Sequence, residues 1–266
     1  MMRSLVVLAL LALLALALAL AACGGDDDGG GTSATPSASP TTAPTATPLA
    51  SGDAVYISIG DATQDGWGDD FADYLSDRLN REVQHVTFTG DVTTTELIAG
   101  VAGQKPSLLD RAIAAIDDYE SQGAVVVAVT LGAGSKDIAD LSASCSDCDG
   151  DAAALLQRYH EQVGVIYARL VQSLDSPAPI LQATAFDGAA CSTPDTPSRV
   201  EAAPLNAAAA EIAADNDAIV VEIPWSFALC GTTGSLTAVA AARILEAHQA
   251  AYDALPSERV EPFVAS

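Results

Sequence analysis

Apolar and polar positions divide the chain into three parts. Leu5 to Ala22 is an unbroken apolar run, residues 23–51 hold almost no large apolar side chain, and from Gly52 to Ser266 apolar positions recur with the periods of strands and helices in turn. Ala54 to Ile59 reads as a strand that stops at Gly60-Asp61. Trp67, Phe71, Tyr74, Leu75 and Leu79 are then spaced for one buried face of a helix. Val83 to Phe88 alternates as a second strand ending at Thr89-Gly90. A helix-prone stretch around Thr93 to Gly103 and an amphipathic segment from Leu108 to Ile116 follow. Ala124 to Leu131 is continuously apolar and β-branched, as in a strand covered on both faces, and Gly132 to Asp137 breaks it. An acidic, cysteine-bearing loop leads to a long helix, Asp151 to Leu174. A strand (Pro179 to Phe186), a helix (Pro204 to Ala214), a strand (Ala218 to Ile223) and a last helix (Leu236 to Leu255) complete the chain. Strand and helix alternate throughout, which predicts a five-stranded, mainly parallel sheet between two helical layers, a three-layer α/β/α sandwich.

The first two parts are not predicted to fold as domains. One basic residue, Arg3, precedes the apolar run, which ends in Leu20-Ala21-Ala22-Cys23 and then Gly-Gly-Asp-Asp-Asp, the layout of an export signal over residues 1–22. Small residues directly before a cysteine resemble the bacterial lipobox. That implies a diacylated Cys23 as the mature first residue, anchored on the outer face of a bacterial membrane. The competing reading is an ordinary anchor, since an apolar run of 18 residues could just span a bilayer. Residues 23–51, rich in Gly, Ser, Thr, Pro and Ala, read as a disordered tether to a single domain, 52–266.

Composition narrows the partners. With 11 basic against 35 acidic residues and a net charge of −24, the chain has no basic patch for a nucleic-acid backbone, and the acidity fits the solubility of an exported surface. Cys145, Cys148, Cys191 and Cys230 form an even set beside Cys23, and two disulfides are the default in an oxidising compartment. The C-x-x-C at Cys145 and Cys148 leaves zinc or redox chemistry as the lesser alternative, since no second pair of metal ligands follows at the usual spacing.

The candidate chemistry lies where strands end, because ligands of open α/β sheets bind beyond the carboxyl ends of strands. The run Tyr-Ile-Ser-Ile-Gly60-Asp61-Ala62 before an amphipathic helix resembles the first block of the SGNH/GDSL hydrolases, and the likeness of block order extends from Ala54 to Leu255. It implies a flavodoxin-like sheet and an ester-hydrolase site. Ala62, however, stands where that family has its nucleophilic serine. Gly90 fits the second block, whose glycine contributes a backbone N–H to the oxyanion hole. Gly134-Ser135-Lys136-Asp137 aligns with G-x-N-D, placing Lys136 at the asparagine. Thr232 and Ser235 stand at the aspartate and histidine of the fourth block. A serine triad works as a unit of nucleophile, base and orienting acid, and its loss costs on the order of a million-fold in turnover. The resemblance therefore implies an inactive member of the family. It also implies the pairings Cys145 with Cys148 and Cys191 with Cys230.

The three histidines offer no obvious replacement base: His85 reads as a half-exposed strand residue, His160 as part of a solvated helix face, and His248 as too far into the last helix. Asp61, Asp65, Asp69 and Asp70 lack the alternating ligand loop and closing glutamate of a calcium site and read as a helix start and solvated face. Neither metal nor cofactor is expected. What remains is a pocket of Asp61, Ala62, Gly90 and Lys136 for a cell-envelope glycan or a small acyl or anionic ligand, unless Lys136 simply pairs with Asp137. The alternatives are an active esterase with an atypical site and a structural lipoprotein with no pocket.

Overall fold

The strand that begins at Ala54 carries two buried faces. In the computed structural model it is β1 (Ala54–Asp61), an interior strand flanked by β2 and β3 in a sheet ordered β2-β1-β3-β4-β5 in which every pair is parallel. The other strands are β2 (Val83–Gly90), β3 (Val125–Gly132), β4 (Ile180–Ala183) and β5 (Ile219–Val221). The structure describes residues 53–61, 64–145, 148–186, 200–223 and 238–264. All belong to one compact unit, Ala46–Ser266. Ala62, Cys23, Cys191, Cys230, Thr232 and Ser235 lie outside the described residues.

Helices α1 (Gly68–Leu79) and α7 (Ala238–Asp253) pack together on one side of the sheet. Helices α2 (Thr94–Ala99), α3 (Leu108–Ser121), α4 (Ser135–Ser144), α5 (Cys148–Ser173) and α6 (Ala203–Asp215) form a connected layer on the other, and a short α8 (Ser257–Val260) follows α7. The architecture is the expected three-layer α/β/α sandwich. Phe71, Leu75 and Leu79 of α1 are buried as their spacing predicts, and Phe71 meets Tyr56 of β1 edge to face at 5.1 Å. Among the described residues no helix is long and apolar enough to cross a membrane.

One element departs from expectation. Residues expected as a broken turn and an acidic loop form α4, which starts behind Gly134 at φ 100° and buries Asp137, Ile138 and Ser142 on its inner side. The C-x-x-C therefore joins two helices instead of decorating a long loop, and Cys145 and Cys148 are disulfide-bonded across that junction.

Strand order positions the site. The chain runs from β1 outward to β2 and returns past β1 to β3, so the topological switch lies between β1 and β3. Register brings Asp61 beside Gly90, Gly60 beside Gly132, and Gly132 beside Ala183, all at carboxyl ends.

Candidate ligand site at the strand ends

Backbone closeness shapes this end of the sheet. Gly60 has φ 125°, and a Cβ on it would lie 1.9 Å from the Gly132 carbonyl oxygen, so no other residue fits without moving β1 from β3. A Cβ on Gly132 would meet Gln64 Nε2 at 2.8 Å, Gln64 Cγ at 2.9 Å and Asp61 Oδ1 at 3.0 Å. Asp61 and Gln64 thus fold over the glycine of the neighbouring strand. Asp61 was expected on a solvated face; it is buried instead, its Oδ2 accepting the Ser135 N–H at 3.2 Å where α4 begins. Ser135 Oγ in turn accepts the Phe186 N–H at 3.0 Å. Below, Tyr159 donates to the Ala133 carbonyl and accepts from Gln182 Nε2, and Tyr167 donates to Gln182 Oε1 at 2.6 Å. This packed polar layer fixes the floor of the site.

Gln64 is the exception in that layer. Its residue is 2% exposed, and both its amide nitrogen and its amide oxygen are buried without a hydrogen-bond partner. Each such atom costs about 1–3 kcal/mol. Nothing in the pattern of apolar positions singles out Gln64; only its place two residues past the aligned nucleophile position could have drawn attention to it.

The expected pocket residues behave differently from one another. Gly90 closes β2, and a Cβ there would make only ordinary contacts, with Leu108 Cδ1 at 3.6 Å and Val92 Cγ1 at 3.8 Å. Lys136 does not pair with Asp137. Adjacent residues of a helix point in different directions, and Lys136 Nζ instead donates to Asp140 one turn on. That bond raises the Lys136 pKa, with Asp91 and Glu96 adding to it. Asp137 turns inward, and its Oδ2 accepts both the N–H and the hydroxyl of Thr94 at 2.8 Å, with burial raising its pKa. Lys136 thus stands among carboxylates, in surroundings that disfavour an anion.

The histidines hold the largest departure. His85, expected as an unremarkable strand residue, shares a 2.8 Å hydrogen bond with Ser58 Oγ through Nε2 and a 2.7 Å bond with Asp69 Oδ1 through Nδ1. The two bonds put Ser58 and Asp69 on opposite nitrogens of one ring. The ring lies flat on Tyr56 at 4.8 Å and against Gly68, where a Cβ would fall 2.2 Å from Cε1. Serine, histidine and aspartate are thus connected as in a triad, but with access reversed. The serine is fully buried in mid-strand, four residues before Ala62, while the aspartate side chain is 95% exposed. A cleft of about 340 Å³ opens on the outer side, lined by Gln64, Asp65, Asp69, Asp70, His85 and Thr87. His160 lies on an exposed face of α5, beside a groove against α6. His248 is buried 4.2 Å from the Trp67 ring and donates through Nδ1 to the Ile244 carbonyl.

Three of the four acidic residues, Asp65, Asp69 and Asp70, border that cleft, each in a different setting. Asp69 and Asp70 sit in the first turn of α1, Asp65 accepts the Thr89 hydroxyl at 2.6 Å, and Asp61 is buried. Among the described residues no group of three or more His, Cys, Asp and Glu is arranged to hold a metal ion.

No family model matches the chain, and no curated protein does. Solved structures do. An acetyl xylan esterase, AlAXEase, aligns with a TM-score of 0.51 and 11% identity, over 76% of this chain and 100% of its own. An extracellular lipase from Streptomyces rimosus aligns at 0.39 with 15% identity, over 69% of this chain and 86% of its own. The first likeness shows the fold, a three-layer α/β/α sandwich shared with that esterase; the second adds nothing to it.

Proposed function

We propose that this SGNH/GDSL-hydrolase-like domain is exported on a lipid anchor and binds a cell-envelope glycan or its acyl ester at the strand ends without hydrolysing it. The observation that carries this reading is where the chain's three histidines lie. His85 is held between Ser58 and Asp69, His160 lies on an outer face of α5, and His248 is packed under Trp67. With Ala62 at the nucleophile position, a hydroxyl restored there would lack an orienting base, and an unassisted serine is a poor nucleophile at neutral pH. The purified domain should therefore hydrolyse p-nitrophenyl acetate no faster than buffer, and Ala62→Ser alone should not rescue it.

A second reading follows from the short bonds of Ser58 and His85: an esterase acting from mid-strand, with Ser58 attacking the acyl carbon and His85 Nε2 taking its proton. It requires a hydroxyl that is fully buried in the folded domain to become accessible to substrate. A fluorophosphonate adduct on Ser58, accompanied by turnover that Ser58→Ala abolishes, would establish this reading over ours.

Export is supported by the disulfide of Cys145 and Cys148, a bond that persists in oxidising compartments. Mass spectrometry of the membrane fraction is expected to find a diacylglyceryl-modified peptide starting at Cys23, and an intact amino terminus would refute the anchor.

A further inference from the structure

We infer that Gln64 is the residue that reads the ligand, and that the ligand presents neutral hydroxyl groups rather than an anion; the inference rests on the binding role proposed above. Folded polar side chains normally use their hydrogen-bonding capacity when buried. Those around Gln64 do so. Asp61 holds Ser135, Ser135 holds Phe186, and both ring nitrogens of His85 are engaged. Gln64 presses its NH₂ group and Cγ against Gly132 at the topological switch, and neither its amide nitrogen nor its amide oxygen is partnered. A polar side chain left unpaired at the position where this sheet architecture receives ligands is explained by a ligand that pairs with it.

The chemistry of the surroundings selects the ligand class. A primary amide offers an acceptor and donors side by side, which matches adjacent hydroxyls of a sugar, one donating and one accepting. An anion would meet the Asp61 carboxylate over the same glycine. It would find Lys136, in the first turn of α4, already paired with Asp140 and flanked by Asp91 and Glu96. A neutral polyol meets neither obstacle.

Because the amide is covered, the ligand must draw it outward, and the local backbone allows this. Gly66, at φ 82°, has no atom within 4 Å of where its Cβ would be, so the turn is open on that side. Trp67, buried at the start of α1, holds the far end still. On the α1 side the movement therefore ends at Trp67.

Calorimetry and thermal shift on the full chain test this, with xylotetraose and chitotetraose as neutral probes and tetragalacturonic acid as the anionic one. The wild type should bind a neutral tetrasaccharide in preference to the acidic one. Gln64→Met, of similar length but apolar, should weaken that binding at least about tenfold. It should also raise the Tm of the free protein by about 2 °C, since an unpaired buried amide has been removed. Gln64→Glu keeps the acceptor without the donors and should lose binding as well. Unchanged binding by Gln64→Met, a lowered Tm, or preference for the acidic probe overturns the role of Gln64 and leaves the binding function standing. Failure of the wild type to bind any of the three overturns both.

Discussion

Two histidines flank α1, and their surroundings are opposite. His85 touches the helix at Gly68 and Asp69, has a partner on each ring nitrogen, and borders a cleft. His248 touches it at Trp67 and Phe71, has one nitrogen bonded and the other, Nε2, buried without a partner, and is enclosed by aromatic rings. Burial pushes the His248 pKa down to about 4. The first ring is fixed by hydrogen bonds and the second by packing. The difference shows that having a histidine in the fold says little about catalysis until both ring nitrogens are traced to what they touch.

The contrast is testable, and the largest effect belongs to the dry ring. For His248 the folded pKa of about 4 lies below its ordinary 6.5, so the unfolded chain takes up a proton that the folded ring refuses. Its contribution is complete above pH 6.5 and is lost as the pH falls toward 4, amounting to about 3 kcal/mol. Urea unfolding at pH 7 and 4.5 should show this loss, and His248→Phe should flatten the difference between the two. An equally steep curve for that variant would mean the loss comes from carboxylates elsewhere.

The bonded ring should respond less, and unevenly. Ser58→Ala leaves Nε2 of His85 facing a buried strand with no partner and should cost about 2 kcal/mol by chemical denaturation. Asp69→Asn should cost less than Ser58→Ala, because an exposed carboxylate is well screened by water and its place is easily taken by solvent. If Asp69→Asn proved the more damaging, the ring would be held from its wet side, and the contrast with His248 would fail.

The sheet was legible in the sequence because each strand advertises itself locally: alternation in β2, unbroken β-branched runs in β3, and glycine or proline at the ends. α4 was missed because Gly132-Ala133-Gly134 looks like the opening of a loop. The signal that would have recovered the helix was the spacing of Ile138 and Leu141 behind an early Asp137. The Ser58, His85 and Asp69 connection was illegible for a different reason. It joins two strands and a helix start across a crossover, and depends on the register that sets Tyr56 beside His85 and Ser58 beside Thr87. No local period carries that information. The Lys136 partner was misassigned for the same reason α4 was missed, since pairing with Asp140 exists only if the segment is helical. The strand-end position of Asp61 was foreseen, whereas its burial required knowing that α4 would place the Ser135 N–H above it.

The paired glycines at the ends of β1 and β3 bear on how such proteins are recognised. Gly60 is dictated by a carbonyl 1.9 Å from where its side chain would begin, and Asp61 by an amide it must satisfy on the next helix. Both demands come from the architecture and would be present in a domain that had never met an ester. A search keyed to that dipeptide therefore retrieves a way of closing a sheet, and the presence of a reaction has to be read from the residue that follows it.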